Sequence, residues 1–129
     1  MERYKQIVYL HYSDISLFEF DLHQNEIFEM EDFILKISIF LELVGFKKPK
    51  YVLINNQLKD FEVDKDLYKF SHNLVFDTIF HYGVTELFFL FNNKRFEKYK
   101  NISLLNIKTF NKRAEIFKYI EKHNKSNIR

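Results

Sequence analysis

Cysteine and tryptophan are both absent from these 129 residues, which hold only two glycines, one proline and two methionines. Without cysteine there is no disulfide, no thiolate metal site and no cysteine nucleophile, and the expected setting is the reducing cytoplasm. Two glycines are too few for the usual glycine-rich phosphate loops, and so little glycine and proline leaves no flexible linker or low-complexity segment. The opening Met1-Glu2-Arg3-Tyr4-Lys5 lacks the apolar core of a signal peptide, and no apolar run approaches the ~20 residues of a membrane span. No internal repeat is present. What the chain has in excess is phenylalanine, 16 residues. Beside abundant Lys, Asn and Ile, this is read as compositional bias and not as a cofactor box.

The length fits one domain, able to bury roughly two thirds of its unfolded surface. A single unit over residues 1–123 is expected, with a frayed basic tail from 124 to 129. Formal net charge is only +2, but it is unevenly spread. Residues 1–91 carry 9 Lys/Arg against 15 Asp/Glu, a net −6, whereas residues 92–129 carry 11 against 3, a net +8. The basic third includes Lys94, Arg95, Lys98 and Lys100 with Phe96 and Tyr99 among them, an arrangement suited to phosphate or to an acidic protein face. The ordinary alternative is a solvated surface that complements the acidic part of the same molecule.

The most informative stretch is Tyr51-Val52-Leu53-Ile54-Asn55-Asn56, entered past Pro49. A continuous apolar run marks a strand covered on both faces, because a half-exposed strand alternates. Upstream, Ile7 to Tyr12 and Ile15 to Leu22 flank Ser13-Asp14 and predict an antiparallel hairpin. With a two-residue turn, Tyr12 faces Ile15, and Ile7 and Tyr9 share a core face with Phe18 and Phe20. The other face shows Val8, Leu10, Tyr12 and Leu17 beside Glu19 and needs a cover, either another element or a second copy of the chain. Met30, Phe33, Ile34, Ile37, Leu41 and Val44 fall at helical spacing, with Gly45 placed to end that helix. Leu35, Ile39 and Leu43 widen its apolar side. Asp64 is a candidate N-cap of a second helix, about Lys65 to Tyr82, ended by Gly83. Leu87 to Phe91 is a second buried run, Ile102 to Ile107 is expected as the last strand, and Asn111 as the cap of a terminal helix containing Ile116, Phe117 and Ile120. A short helical turn fits the basic connection between them. The fold class is α/β: a mainly parallel sheet with an N-terminal antiparallel hairpin and about three to four helices.

This order of elements, with Lys48-Pro49-Lys50-Tyr51-Val52-Leu53-Ile54-Asn55, the helix end Tyr82-Gly83-Val84 and the closing Thr109 to Ile120, resembles the small STAS-like proteins, relatives of the anti-sigma-factor antagonist fold. The resemblance covers most of the chain. It implies a non-catalytic regulatory or interaction module, in whose wider family a serine after the third strand is phosphorylated to control partner binding. Where that pattern runs Asp-Ser-Ser-Gly, this chain has Asn55, Asn56, Gln57 and Leu58, so the serine switch is not carried over.

The residues offer little catalytic chemistry of their own. His72 and His81 are nine positions apart on one helix, about 180° around its axis, and cannot share a metal. Asp77 and His81 have i, i+4 spacing, which is commonest in a surface pair. Ser13, Ser38 and Ser71 lie outside any nucleophile elbow. Glu26, Glu29, Glu31 and Asp32 crowd a helix start, where carboxylates ordinarily serve the dipole. No cofactor, no metal and no enzymatic activity are expected. The expected function is a regulatory or protein-interaction module that dimerises through Val8, Leu10, Tyr12 and Leu17. The alternatives are nucleic-acid binding through Lys94, Arg95, Lys98 and Lys100, and a small-ligand or partner site at Asn55, Asn56, Gln57 and Asp60.

Overall fold

The computed structural model describes residues 7–27, 29–57, 75–99 and 106–127. Among these residues five strands form one sheet in the order β1-β2-β3-β4-β5: Tyr9–Tyr12, Leu17–Asp21, Tyr51–Asn56, Glu86–Phe91 and Ile107–Phe110. β1 and β2 are antiparallel, and every other neighbouring pair is parallel. Four helices accompany them among the described residues: α1 Met30–Lys47, α2 Asp77–His81, α3 Asn93–Tyr99 and α4 Arg113–Asn127. This is the expected α/β architecture, with the hairpin at one side of a mainly parallel sheet.

All six residues of β3 are buried, as its apolar run requires of a central strand. Alternation then sorts the sheet into two faces. One carries Phe18, Phe20, Val52, Ile54, Leu87 and Ile107 against α1, whose Phe33, Ile37, Phe40 and Val44 share its cluster with Val75 and Ile79. The other carries Leu17, Tyr51, Leu53, Phe88 and Leu90 against Ile116 and Ile120 of α4. Burying each of those two isoleucines contributes about 1.5–3 kcal/mol, and this fixes α4 over the second face.

The hairpin turn has four residues, Ser13 to Ser16, and not two. Ile15 N–H donates to the Tyr12 carbonyl at 3.2 Å, and Ser16 takes a left-handed φ of 54° before β2 begins. Tyr12 therefore pairs with Leu17 and Tyr9 with Phe20, a register displaced by two from the sequence expectation. An even displacement preserves the faces, so Tyr9 still lies on the side of Phe18 and Phe20. Ser16 also anchors the sheet, because its carbonyl accepts from Lys50 N–H at 3.0 Å and Tyr51 N–H at 2.9 Å.

Three further boundaries differ from expectation. Gly45 does not end α1, which continues to Lys47 and terminates on Lys48 with a left-handed φ of 51°. Glycine is required there for proximity: a Cβ on Gly45 would stand 2.7 Å from Cζ of Tyr82. The last strand is Ile107–Phe110, beginning where it was expected to end, and α4 starts at Arg113, two residues after Asn111. Gly83 does end its helix, with φ of 95°. The second helix is described only from Val75; the Asp64 cap, Leu67, Phe70, Ser71, His72 and Leu74 lie outside the described residues, as do 102–105 of the expected strand.

Candidate functional site

Parallel strands bring their carboxyl ends to one edge of the sheet, so Asp21, Asn55, Asn56, Asn92 and Asn111 gather at the same border. That border is the usual binding edge of α/β sheets. The dominant feature beside it is Glu19. β2 is buried from Leu17 to Phe20, and Glu19, between two phenylalanines, is only 1% exposed. A buried carboxylate needs several partners.

Its partners come from three elements. Arg113, in the first turn of α4, meets it with both terminal guanidinium nitrogens, Nη1 at Oε1 and Nη2 at Oε2, the latter at 2.7 Å. Asn55 Nδ2 donates to Oε2 at 3.0 Å and the Tyr12 hydroxyl donates to Oε1 at 3.2 Å. Arg113 Nη1 also donates to the Tyr12 oxygen at 3.2 Å. Burial alone would raise the Glu19 pKa, but the bonds from Arg113 and Asn55, with the Arg113 charge and Tyr12, hold it below the ordinary carboxylate value. Burial, and then the Glu19 charge, push the Tyr12 phenol upward. The hydrogen bond to Glu19 raises Arg113 further. Every group therefore keeps its resting charge near neutral pH, and the carboxylate's lone pairs are occupied. The arrangement is a lock between α4 and the sheet, poorly suited to proton transfer.

A second tie lies further along α4, where the Tyr119 hydroxyl donates to Glu86 at 2.7 Å, and burial followed by that bond raises the phenol's pKa. Tyr12 packs edge-on against Phe117, centroids 5.3 Å apart. Together these contacts seat α4 on the face that the sequence left uncovered. The cover is the chain's own last helix. Leu17 is fully buried beneath it and Tyr12 is half-buried in the Glu19 network, so neither lines an outer dimer face; Val8 and Leu10 remain exposed on the edge strand.

The amide loop is also divided by the pleat. Asn55 points to the α4 face, where Nδ2 is held by Glu19 and Oδ1 accepts from Gln57 N–H at 2.9 Å. Asn56 is buried on the opposite face, because successive strand residues alternate. Gln57 is half-buried and its Nε2 donates to the Asn111 carbonyl at 3.2 Å, while Asn111 Nδ2 donates to Asn93 Oδ1 at 3.1 Å. Asp60 lies outside the described residues. Of the basic set, Lys94 is exposed on α3, whereas Lys100 and the side chains of Arg95 and Lys98 fall outside the description. Among the described residues no group of three His, Asp or Glu side chains is placed to hold a metal, and no helix is long and apolar enough to cross a membrane.

From sequence, Arg113 is only one of the 11 cations of residues 92–129 and Glu19 only a carboxylate on the outer hairpin face, with nothing to join them. The available signal was a single carboxylate flanked by Phe18 and Phe20 in an apolar run, and a single arginine opening an amphipathic helix. No family model, curated protein or solved structure matches the chain.

Proposed function

We propose that this chain is a non-catalytic protein-interaction module of the STAS-like kind, acting through the surfaces it presents. The observation that carries this reading is on α1. Leu35 and Phe46 are eleven residues apart, three helical turns, and stand on the same side, opposite Phe33, Ile37, Phe40 and Val44. They are 46% and 79% exposed, whereas Ile39 between them is buried. Lys47 Nζ lies 5.4 Å from the Phe46 ring centroid, so a cation flanks this exposed ring, and exposed Ser38 and Glu42 lie between the two apolar side chains. Large apolar side chains aligned on the outer side of a helix fit a partner groove.

The candidate site supports the same reading from the other direction. Its carboxylate is saturated and held ionised, and Asn55 is committed to that network. Of the basic third, Arg113 is paired to Glu19, which reduces the charge available to phosphate. Affinity capture from the native cell, comparing the natural chain with a Leu35→Ser/Phe46→Ser variant, tests the proposal. A prey lost only with the variant is the expected result. Salt-sensitive binding to RNA or DNA in a mobility-shift assay would favour the nucleic-acid alternative instead.

A further inference from the structure

The sheet ends in two edges of opposite character. At the β5 edge stands Lys108, a charge of the kind that blocks strand addition. At the β1 edge, Ile7 to Ser13 contains no Asp, Glu, Lys, Arg or Pro, and Val8 and Leu10 are 42% and 44% exposed. Among the described residues no strand lies beyond β1. Among the described residues this edge has no protection beyond its shortness, and that is reduced, because the Asn25 carboxamide extends the ladder to Val8. Its Oδ1 accepts from Val8 N–H at 2.6 Å and its Nδ2 donates to the Val8 carbonyl at 2.7 Å.

The same contact fixes which way the backbone faces. Val8 directs both its polar groups toward β2, so Leu10 and Tyr12 do likewise, and the intervening Tyr9 and His11 direct theirs outward. Two outward residues spaced by one are the pattern that an antiparallel strand completes.

We propose that β1 pairs antiparallel with β1 of a second copy of this chain, about a two-fold axis at Leu10, joining two five-stranded sheets into one. This rests on the reading of the chain as an interaction module and adds the identity of one partner. The pairing sets Tyr9 opposite the copy's His11 in a hydrogen-bonded pair, Leu10 opposite its own copy, and Val8 opposite Tyr12. Every juxtaposition is between uncharged or aromatic side chains, as a two-fold contact requires of a self-complementary strand. The β5 edge fails in the equivalent register, because a two-fold axis at Lys108 would bring lysines together.

A cysteine-free chain makes the test direct. In a non-hydrogen-bonded antiparallel pair the Cα atoms stand about 4.5 Å apart, within reach of a disulfide. Leu10→Cys at tens of micromolar under mild oxidation should form a covalent dimer at least about tenfold faster than Leu35→Cys, a collision control of similar exposure. In sedimentation the natural chain should show a reversible species of twice 15.9 kDa. Leu10→Lys should be monomeric with an unchanged circular dichroism spectrum. A natural chain that stays monomeric to about 100 µM, or crosslinking no faster than the control, overturns the pairing. Should Leu10→Lys fail to fold, the cysteine pair still decides. A monomer that nevertheless binds another protein through Leu35 and Phe46 overturns the pairing and leaves the module reading standing. Pairing without any α1-dependent partner supports the pairing and removes that reading.

Discussion

Replacing Arg113 by alanine removes both guanidinium bonds from Glu19, which is 1% exposed in the natural chain, and leaves its carboxylate with only Asn55 and Tyr12 as partners. Breaking a buried pair from that side costs about 3–5 kcal/mol, since the remaining charge is uncompensated. The reverse change is milder. The Arg113 side chain is 36% exposed and can turn to water when Glu19→Gln removes its partner, so the loss is that of charge-assisted hydrogen bonds, about 1.5–3 kcal/mol. Urea unfolding followed by circular dichroism separates the two. With a slope of about 2 kcal/mol/M, Arg113→Ala lowers the midpoint by roughly 1.5–2.5 M and Glu19→Gln by roughly half as much. The pH dependence should also invert. In the natural chain the Glu19 pKa is depressed, so its contribution is present above the ordinary value near 4.5 and is lost as pH falls below it. In Arg113→Ala, desolvation dominates and the pKa rises, so stability recovers as pH falls through the raised value. An Arg113→Ala cost under about 1 kcal/mol, or one smaller than that of Glu19→Gln, would refute the idea that this pair locks α4 to the sheet.

Other consequences follow from single contacts. Gly45→Ala gains about 1 kcal/mol of helix propensity but drives Cβ into the Tyr82 ring, so a net loss of about 1 kcal/mol is expected by thermal unfolding. In a Tyr82→Ala background the same change should become stabilising; if it does not, close approach is not the reason for glycine. Asn25→Ala removes the amide that bonds both polar groups of Val8 and the Asp21 carbonyl, which should cost about 2–3 kcal/mol and raise hydrogen exchange at Val8 before the rest of the sheet. Ile120→Ala, at a side chain of α4 fully buried against the sheet, should cost about 2–5 kcal/mol in the same unfolding assay.

The strands and helices with the strongest periodic signals were legible from sequence. The apolar run of β3, the spacing of α1 and the face of the hairpin that meets the core all follow from local pattern. The failures have separate physical causes. The last strand was misplaced because β5 lies at an edge and carries Lys108, which looks like loop chemistry in a linear reading. Gly45 has the look of a helix end because local propensity knows nothing of Tyr82, thirty-seven positions away, whose ring excludes a side chain. The turn length escaped because Ser16 adopts a left-handed conformation without being glycine. The Glu19–Arg113 network spans 94 positions, and no local period can show that a charge on the hairpin is answered from the last helix. The uncovered hairpin face was a correct sign that something must lie on it. Choosing between a second copy and the chain's own helix required the topology.

Surface recognition through the outer side of α1 is the function proposed for this protein. Quantitative affinity capture with the natural chain, Leu35→Ser/Phe46→Ser, and Lys94→Ala as a charge control tests it most directly. At least one saturable partner is expected whose recovery falls about tenfold or more with the α1 variant and is unchanged with the charge control, both variants remaining folded, as is ordinary for exposed sites. Identical recovery with the natural chain and the α1 variant would contradict it.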